Sequence, residues 1–162
     1  MKFTKKQIRN LKRLNISGKG GKDRQIAEAL GHTRESAKFH DGIDDKGNKW
    51  EYKKQTGIQF FDPYKFSQMT EEEKEIPILF FNHKEGEIVS IYMATYAQVI
   101  KTMGYTKKGL ALLNELFKRP EFANRMTQPK AQLNKKEIAS FKKVWELEKK
   151  KKKVLDKSPP TR

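Results

Sequence analysis

The chain has 162 residues and no cysteine, so it can form neither a disulfide nor a thiolate metal site, and its length suits one domain with a tail. Thirty-six Lys plus Arg against 20 Asp plus Glu leave a net charge of +16, which draws polyanions and makes nucleic acid the leading partner, with an attraction that falls as salt rises. No stretch reaches the roughly 18 apolar residues of a membrane span and no signal-peptide core opens the chain, so a soluble protein in a reducing, intracellular setting is expected.

Residues 1–30 hold nine Lys or Arg against two acids. Thr4 reads as an N-cap, and Ile8, Leu11 and Leu14 recur at helical spacing with basic residues between them, which predicts a basic amphipathic helix ending near Asn15. The SGKGGK stretch at 17–22 lacks the spacing of a phosphate loop and follows no strand, so it reads as a turn. Asp23 is expected to cap a second helix through Ile26, Ala27 and Leu30 that Gly31 closes. Two extended segments, 39–43 and 49–54, are joined by DDKGN, whose residues suit a hairpin connection.

The apolar run IPILFFNH at 76–83 has the character of a central strand, and EIVSIYM at 87–93 follows across a turn at Glu85 and Gly86. Helical patterns return at 96–103 and 107–118, the second interrupted by Pro120. A last helix is predicted from Lys135 to about Lys153 with Ile138, Phe141, Val144, Trp145 and Leu147 as its stripe, and SPPTR reads as a disordered end. Residues 135–162 carry eleven basic residues against four acids, so both ends are basic and most acids sit between them. Helices before and after a mainly antiparallel sheet of four or five strands predict a mixed α/β or α+β fold.

The hairpin HDGIDDKGNKWEYKKQ, residues 40–55, concentrates the chemistry. Side chains alternate across a strand, so Glu51 and Lys53 share one face while Trp50 and Tyr52 share the other. Asp41 lies on the partner segment, near enough for its carboxylate to meet that of Glu51, and two such groups repel unless a proton or cation sits between them. Oxygen ligands from Asp41, Glu51 and the Tyr52 carbonyl suit Mg²⁺, which keeps several waters and accepts a phosphate oxygen. Lys53 then stands where negative charge develops. Asp44 competes with Asp41 for this role, Asp45 is expected to shape the turn, and the bland alternative for Glu51 and Lys53 is a surface ion pair.

Asp41, nine residues, Glu51, one residue, Lys53: this pattern resembles the PD-(D/E)xK nuclease signature, and its setting is similar to that of PvuII-like type II restriction endonucleases. The likeness extends to the strand pair that follows and covers a third to a half of the chain. His40 stands in place of the signature's proline. The resemblance implies a restriction-endonuclease-like mixed sheet flanked by helices, with Asp41 and Glu51 as Mg²⁺ ligands and Lys53 as the catalytic lysine. It also implies Glu35 as an auxiliary acid. In these terms residues 1–154 form one nuclease domain, with a basic helical part at 1–30, a catalytic sheet at 39–93 and a helical part at 96–154, and 155–162 form the tail. A homodimer acting on double-stranded DNA in a prokaryotic or phage cytoplasm is the corresponding expectation.

An HD phosphohydrolase at His40 and Asp41, or an HNH nuclease at Asn82 and His83, lacks the further ligands or spacing each requires. Candidate DNA contacts are Gln55, Thr56, Gln59 and Lys65 in the loop after the catalytic strand, Lys54 within it, and Asn82 and His83 at a strand end. Arg9, Lys12 and Arg13, with Lys5 and Lys6, are expected to neutralise phosphates, reinforced by the pentalysine at 149–153. A homing endonuclease or Holliday-junction resolvase on the same core is the enzyme alternative, and a non-catalytic basic DNA-binding protein is the alternative of another class.

Overall fold

Thr4 accepts a hydrogen bond from the Gln7 N–H while the Gln7 side chain accepts one from the Thr4 N–H, and this reciprocal cap starts α1 (Lys5–Lys12). The computed structural model describes residues 1–55, 57–119 and 132–148. Next comes α2 (Asp23–Leu30), closed by Gly31 at φ 72°. Lys22 precedes this helix without a side-chain cap, and Asp23 is its first residue instead of its cap, a correction to the sequence expectation.

Strands β1 (Thr33–Arg34), β2 (Gly42–Ile43) and β3 (Lys49–Gln55) follow, then β4 (Gln59–Phe60), α3 (Pro63–Ser67) and a 3₁₀ turn at Glu73–Glu75. The apolar run becomes β5 (Pro77–Lys84), and β6 (Glu87–Thr95) leads into α4 (Tyr96–Thr102) and α5 (Lys107–Phe117). After them stand β7 (Gln132–Leu133), α6 (Lys135–Ala139) and β8 (Lys142–Glu146).

The main sheet has six strands in the order β1-β2-β3-β5-β6-β8, one more than the upper sequence expectation. Its neighbours are antiparallel except β3 and β5, which run parallel with Glu51 opposite Ile78 and Lys53 opposite Phe80. The fold is therefore mixed α/β with a mixed sheet, and β4 and β7 form a separate two-stranded ribbon.

Both faces of the sheet are covered, which is why β5 is apolar at every position from Pro77 to Phe81. Ile78 and Phe80 face Phe66 of α3, Tyr96, Val99 and Ile100 of α4, and Leu110 of α5. Leu79 and Phe81 face Leu11 of α1 and Ile26 and Leu30 of α2, together with Tyr52 of β3. Glu51 and Lys53 therefore project toward the α3 and α4 side, and Tyr52 projects toward α1 and α2.

A helix from 135 to 153 does not form within the described residues. Asn134 caps a helix of only five residues, and the chain then extends as β8 along β6, where Val144 and Trp145 pack against the α1 and α2 side of the core. Pairing with β6 overrides the helical spacing, and the lysines Lys142 and Lys143 line an edge strand, a placement that discourages further pairing. The expected helical part at 96–154 thus contains strands. The break at Pro120, the pentalysine and the tail at 155–162 lie outside the described residues. No helix among the described residues is long and apolar enough to cross a membrane.

Candidate active site

Hydrogen bonds on both sides of its peptide fix Asp41 at the mouth of the β2–β3 hairpin. Its N–H donates to the Trp50 carbonyl and its carbonyl accepts from the Glu35 N–H, both at 2.8 Å. Beyond Trp50 the two strands part, and the Tyr52 N–H donates to the Asp41 side chain at Oδ2 over 2.9 Å instead of to β2. The N–H and C=O of one strand residue project to the same edge, so the Tyr52 carbonyl leaves β3 on the side that Asp41 occupies.

The Tyr52 ring turns to the other face, where its hydroxyl shares a hydrogen bond of 2.6 Å with His32 Nδ1. Gly42 is required there, because a Cβ at that position would lie 2.0 Å from Tyr52 Oη.

The Asp41 carboxyl is pushed up to about 7 by burial first, then by a side-chain hydrogen bond with Glu51 and by its charge, against the opposing pull of the Tyr52 N–H and Lys53. Two carboxyl groups that meet in this way hold a proton or a cation between them. On the far side, Tyr96 Oη donates to Glu51 Oε2 at 2.5 Å, and burial followed by the Glu51 charge pushes the Tyr96 phenol up, keeping it a donor. Lys53 Nζ lies 5.1 Å from the centre of the Phe61 ring, which props the ammonium beside the acids. Asp41, Glu51 and Lys53 thus border one cavity.

A third acid joins them that sequence reasoning assigned to helix capping. Asp23 is half-buried at the start of α2, and its carboxyl is pushed up by burial and then by the charge of Asp41, with a side-chain hydrogen bond between the two. The signal was present in the sequence only as an Asp after a glycine-rich turn, which reads identically as a cap. All three acids open on a cavity of 440 Å³ that Lys22, Lys38, Lys53, Lys54 and Lys65 also line, an acidic floor under a basic rim.

Asp44 has a different task. Its carboxylate accepts from the Lys46 and Asn48 N–H groups, the Asn48 amide and the Trp50 indole, building the turn. Burial would raise it, but these hydrogen bonds prevail and hold it down to about 2. The turn role expected of Asp45 belongs to Asp44, which does not border the cavity that Asp41, Glu51 and Lys53 share. Glu35 does not line the cavity, and its Oε1 lies 3.2 Å from Nε2 of the buried His40 without hydrogen-bond geometry.

The expected DNA contacts divide. Gln59 and Lys65 line the cavity. Lys54 Nζ donates to the carbonyls of Gly18 and Gly20, at 2.5 and 3.0 Å, so it tethers the SGKGGK turn over the site. Gln55 is 2% exposed and donates to the Gly57 carbonyl, so it cannot reach a base edge as placed, and Thr56 lies outside the described residues. Asn82 donates to Ser90 within the β5–β6 pair, and His83 Nδ1 accepts from the Gly86 N–H while burial, then the Lys54 charge, push the imidazole down. Arg9, Lys12 and Arg13 are exposed on or just after α1 and do not line the cavity.

Among the described residues no group of three or more His, Asp or Glu side chains is arranged to hold a metal ion. The donor set that fits a hard cation is smaller: the carboxyls of Asp41 and Glu51 and the Tyr52 carbonyl. Mg²⁺ is commonly bound through one or two carboxylates and fills its other positions with water and phosphate oxygen. The chemistry of the donor set supports the fit, because two half-buried carboxyls and a backbone carbonyl, all hard oxygen donors, border one cavity. No protein-family model matches the sequence, and no curated protein matches it.

Proposed function

We propose that the protein is a Mg²⁺-dependent endodeoxyribonuclease with a restriction-endonuclease-like core, a type II enzyme that hydrolyses phosphodiester bonds in double-stranded DNA at a short site. The observation that carries this reading is the convergence of the Asp41 and Glu51 carboxyls, one from the residue that leads into β2 and one from β3, beside Lys53 in a lysine-rimmed cavity. A bound Mg²⁺ supplies Lewis-acid polarisation of the phosphate and a more acidic water.

Asp41 and Glu51 would hold the ion together with the Tyr52 carbonyl. The Tyr52 N–H fixes the orientation of Asp41, and the Tyr96 hydroxyl fixes that of Glu51. Lys53 stabilises the charge that grows on the phosphate as the water attacks. Lys22, Lys38 and Lys65 draw the flanking phosphates into the cavity. One such centre cuts one strand, so cutting both at one site takes a symmetric pair of chains.

The test is incubation with supercoiled plasmid in Mg²⁺, beside EDTA and Lys53→Ala controls. Discrete linear fragments in Mg²⁺, intact plasmid in EDTA and a rate reduced at least about 10²-fold in Lys53→Ala are expected. Intact DNA in Mg²⁺ at low salt, with DNA binding retained, turns the reading to a non-catalytic binding protein.

A further inference from the structure

Among the described residues four large apolar side chains are exposed, and two of them, Ile58 at 52% and Phe60 at 65%, lie two positions apart, Phe60 bordering a cavity that shares Glu51 and Lys53 with the candidate active site. Phe60 is not there by slackness of the chain. It sits on the β4–β7 ribbon opposite Gln132, and that ribbon is anchored by the buried Leu133 on β7 and the buried Phe61 just after β4. Phe60 forms one wall of a cavity of 180 Å³, with Phe39, Phe61, Phe66 and Tyr96 among its other walls. An apolar cavity of about 150 Å³ holds a benzene ring, so the space suits one planar aromatic group.

The setting of this cavity selects what that group is. Glu51, Lys53, Lys38 and Lys65 border both this cavity and the larger one that holds Asp41. A strand whose phosphate lies beside Lys53 therefore has its adjoining nucleoside at the mouth of the aromatic cavity. Asp62 on the rim carries the wrong sign for a second phosphate and the right one for an exocyclic amine. Aromatic faces beside a basic track are the arrangement on which unpaired bases stack.

We propose that Phe60 and the aromatic cavity behind it receive a nucleobase that has left the double helix beside the scissile phosphate. This rests on reading the carboxylate and lysine cluster as a nuclease centre, and it adds that the preferred substrate has an unpaired or readily unpaired nucleotide at the cut. Extruding a base costs least where it is mismatched or already single-stranded, so affinity reports the pocket directly.

The experiment measures binding of the full chain, in EDTA so that nothing is cut, to a fluorescent matched duplex, the same duplex with one mismatch, and the single strand. The mismatched duplex and the single strand bind about ten- to a hundredfold tighter than the matched duplex. Phe60→Ala weakens single-strand binding about 5- to 150-fold and removes the preference, whereas Phe60→Trp keeps it and loses its added indole emission on stacking.

Equal affinity for matched and mismatched DNA, or a preference unchanged in Phe60→Ala, overturns the pocket. A Phe60→Ala protein that binds DNA as before but sediments differently overturns it too, and marks the patch as a contact between proteins. The two readings fail separately. Mg²⁺-dependent cutting with no role for Phe60 removes only the pocket, and a Phe60-dependent preference in a protein that never cuts removes only the nuclease.

Discussion

The two ends of the β2–β3 hairpin carry the same residue three positions apart, Asp41 at the mouth and Asp44 at the turn, and the fold drives them in opposite directions. Asp44 receives four hydrogen bonds from its own turn and is held down to about 2. Asp41 receives one from the backbone, from the Tyr52 N–H, otherwise meets two other acids, and is pushed up to about 7. The cavities at the two ends follow the same division. The larger, 650 Å³ between α1 and the turn, is bordered by Asp44 and by the Ala29 and Leu30 carbonyls, which already accept from Asn10 and Gln7. The smaller, 440 Å³, holds the acids whose demand is unmet. The proposed nuclease chemistry falls where local hydrogen bonding leaves charge uncompensated, at the smaller of the two cavities.

Exchanging each aspartate for its amide breaks the comparison most sharply. Asp41→Asn lowers the rate of Mg²⁺-dependent cleavage by about 10²- to 10³-fold, yet binds DNA as tightly or more tightly in EDTA because a negative charge beside the phosphate is gone. Asp44→Asn retains cleavage and loses about 1–2 kcal/mol of folding stability in urea melts, since an amide reproduces only part of the acceptor set. Cleavage lost in Asp44→Asn and kept in Asp41→Asn would exchange the two roles.

Titration sharpens the same contrast. The Asp41 carboxyl is raised from an ordinary value of about 4, so in EDTA the folded state keeps a proton that the unfolded chain gives up, and stability from this group falls as pH rises from about 4 to about 7. Asp44 is depressed, so its contribution is present above about pH 4 and is lost as pH falls through about 2. Thermal melts in EDTA should show wild type losing about 2–4 °C relative to Asp41→Asn between pH 5 and pH 8. Excess Mg²⁺ restores more of the melting temperature at pH 8 than at pH 5, because a cation replaces the proton that has left. A difference between the two proteins that does not vary with pH removes the raised carboxyl from the account.

Local signals made much of this legible in the sequence. The Thr4 cap, the hairpin turn, the apolar β5 and the alternation that puts Glu51 and Lys53 on one face each depend on residues close together in the chain. What escaped depends on packing at a distance. Lys135 to Glu146 fits a helical period, and only the open edge of β6 draws its second half into β8. Gln55 reads as a polar contact residue until the parallel pairing of β3 with β5 buries it. Asp23 reads as a cap by local rules, and its place beside Asp41 follows from how α2 docks on the sheet through Ile26, Ala27 and Leu30.

The smallest expected effect concerns the side of the mouth away from Asp41. Tyr96→Phe keeps the ring against Phe39 and Phe66 and removes only the hydroxyl that donates to Glu51 Oε2. Stability should change by no more than about 1 kcal/mol, because the Glu51 carboxyl remains half-exposed and water can replace the donor. Orientation is what is lost. With Asp41 still held by the Tyr52 N–H and Glu51 released, the Mg²⁺ concentration for half-maximal cleavage should rise about tenfold, the low end for removing a partner that aligns a metal ligand, while DNA affinity in EDTA stays unchanged. An unchanged Mg²⁺ requirement would mean that Glu51 finds its orientation from β3 alone and that the phenol serves the core, where burial of Tyr96 among α4 and the aromatic cavity would be its whole purpose.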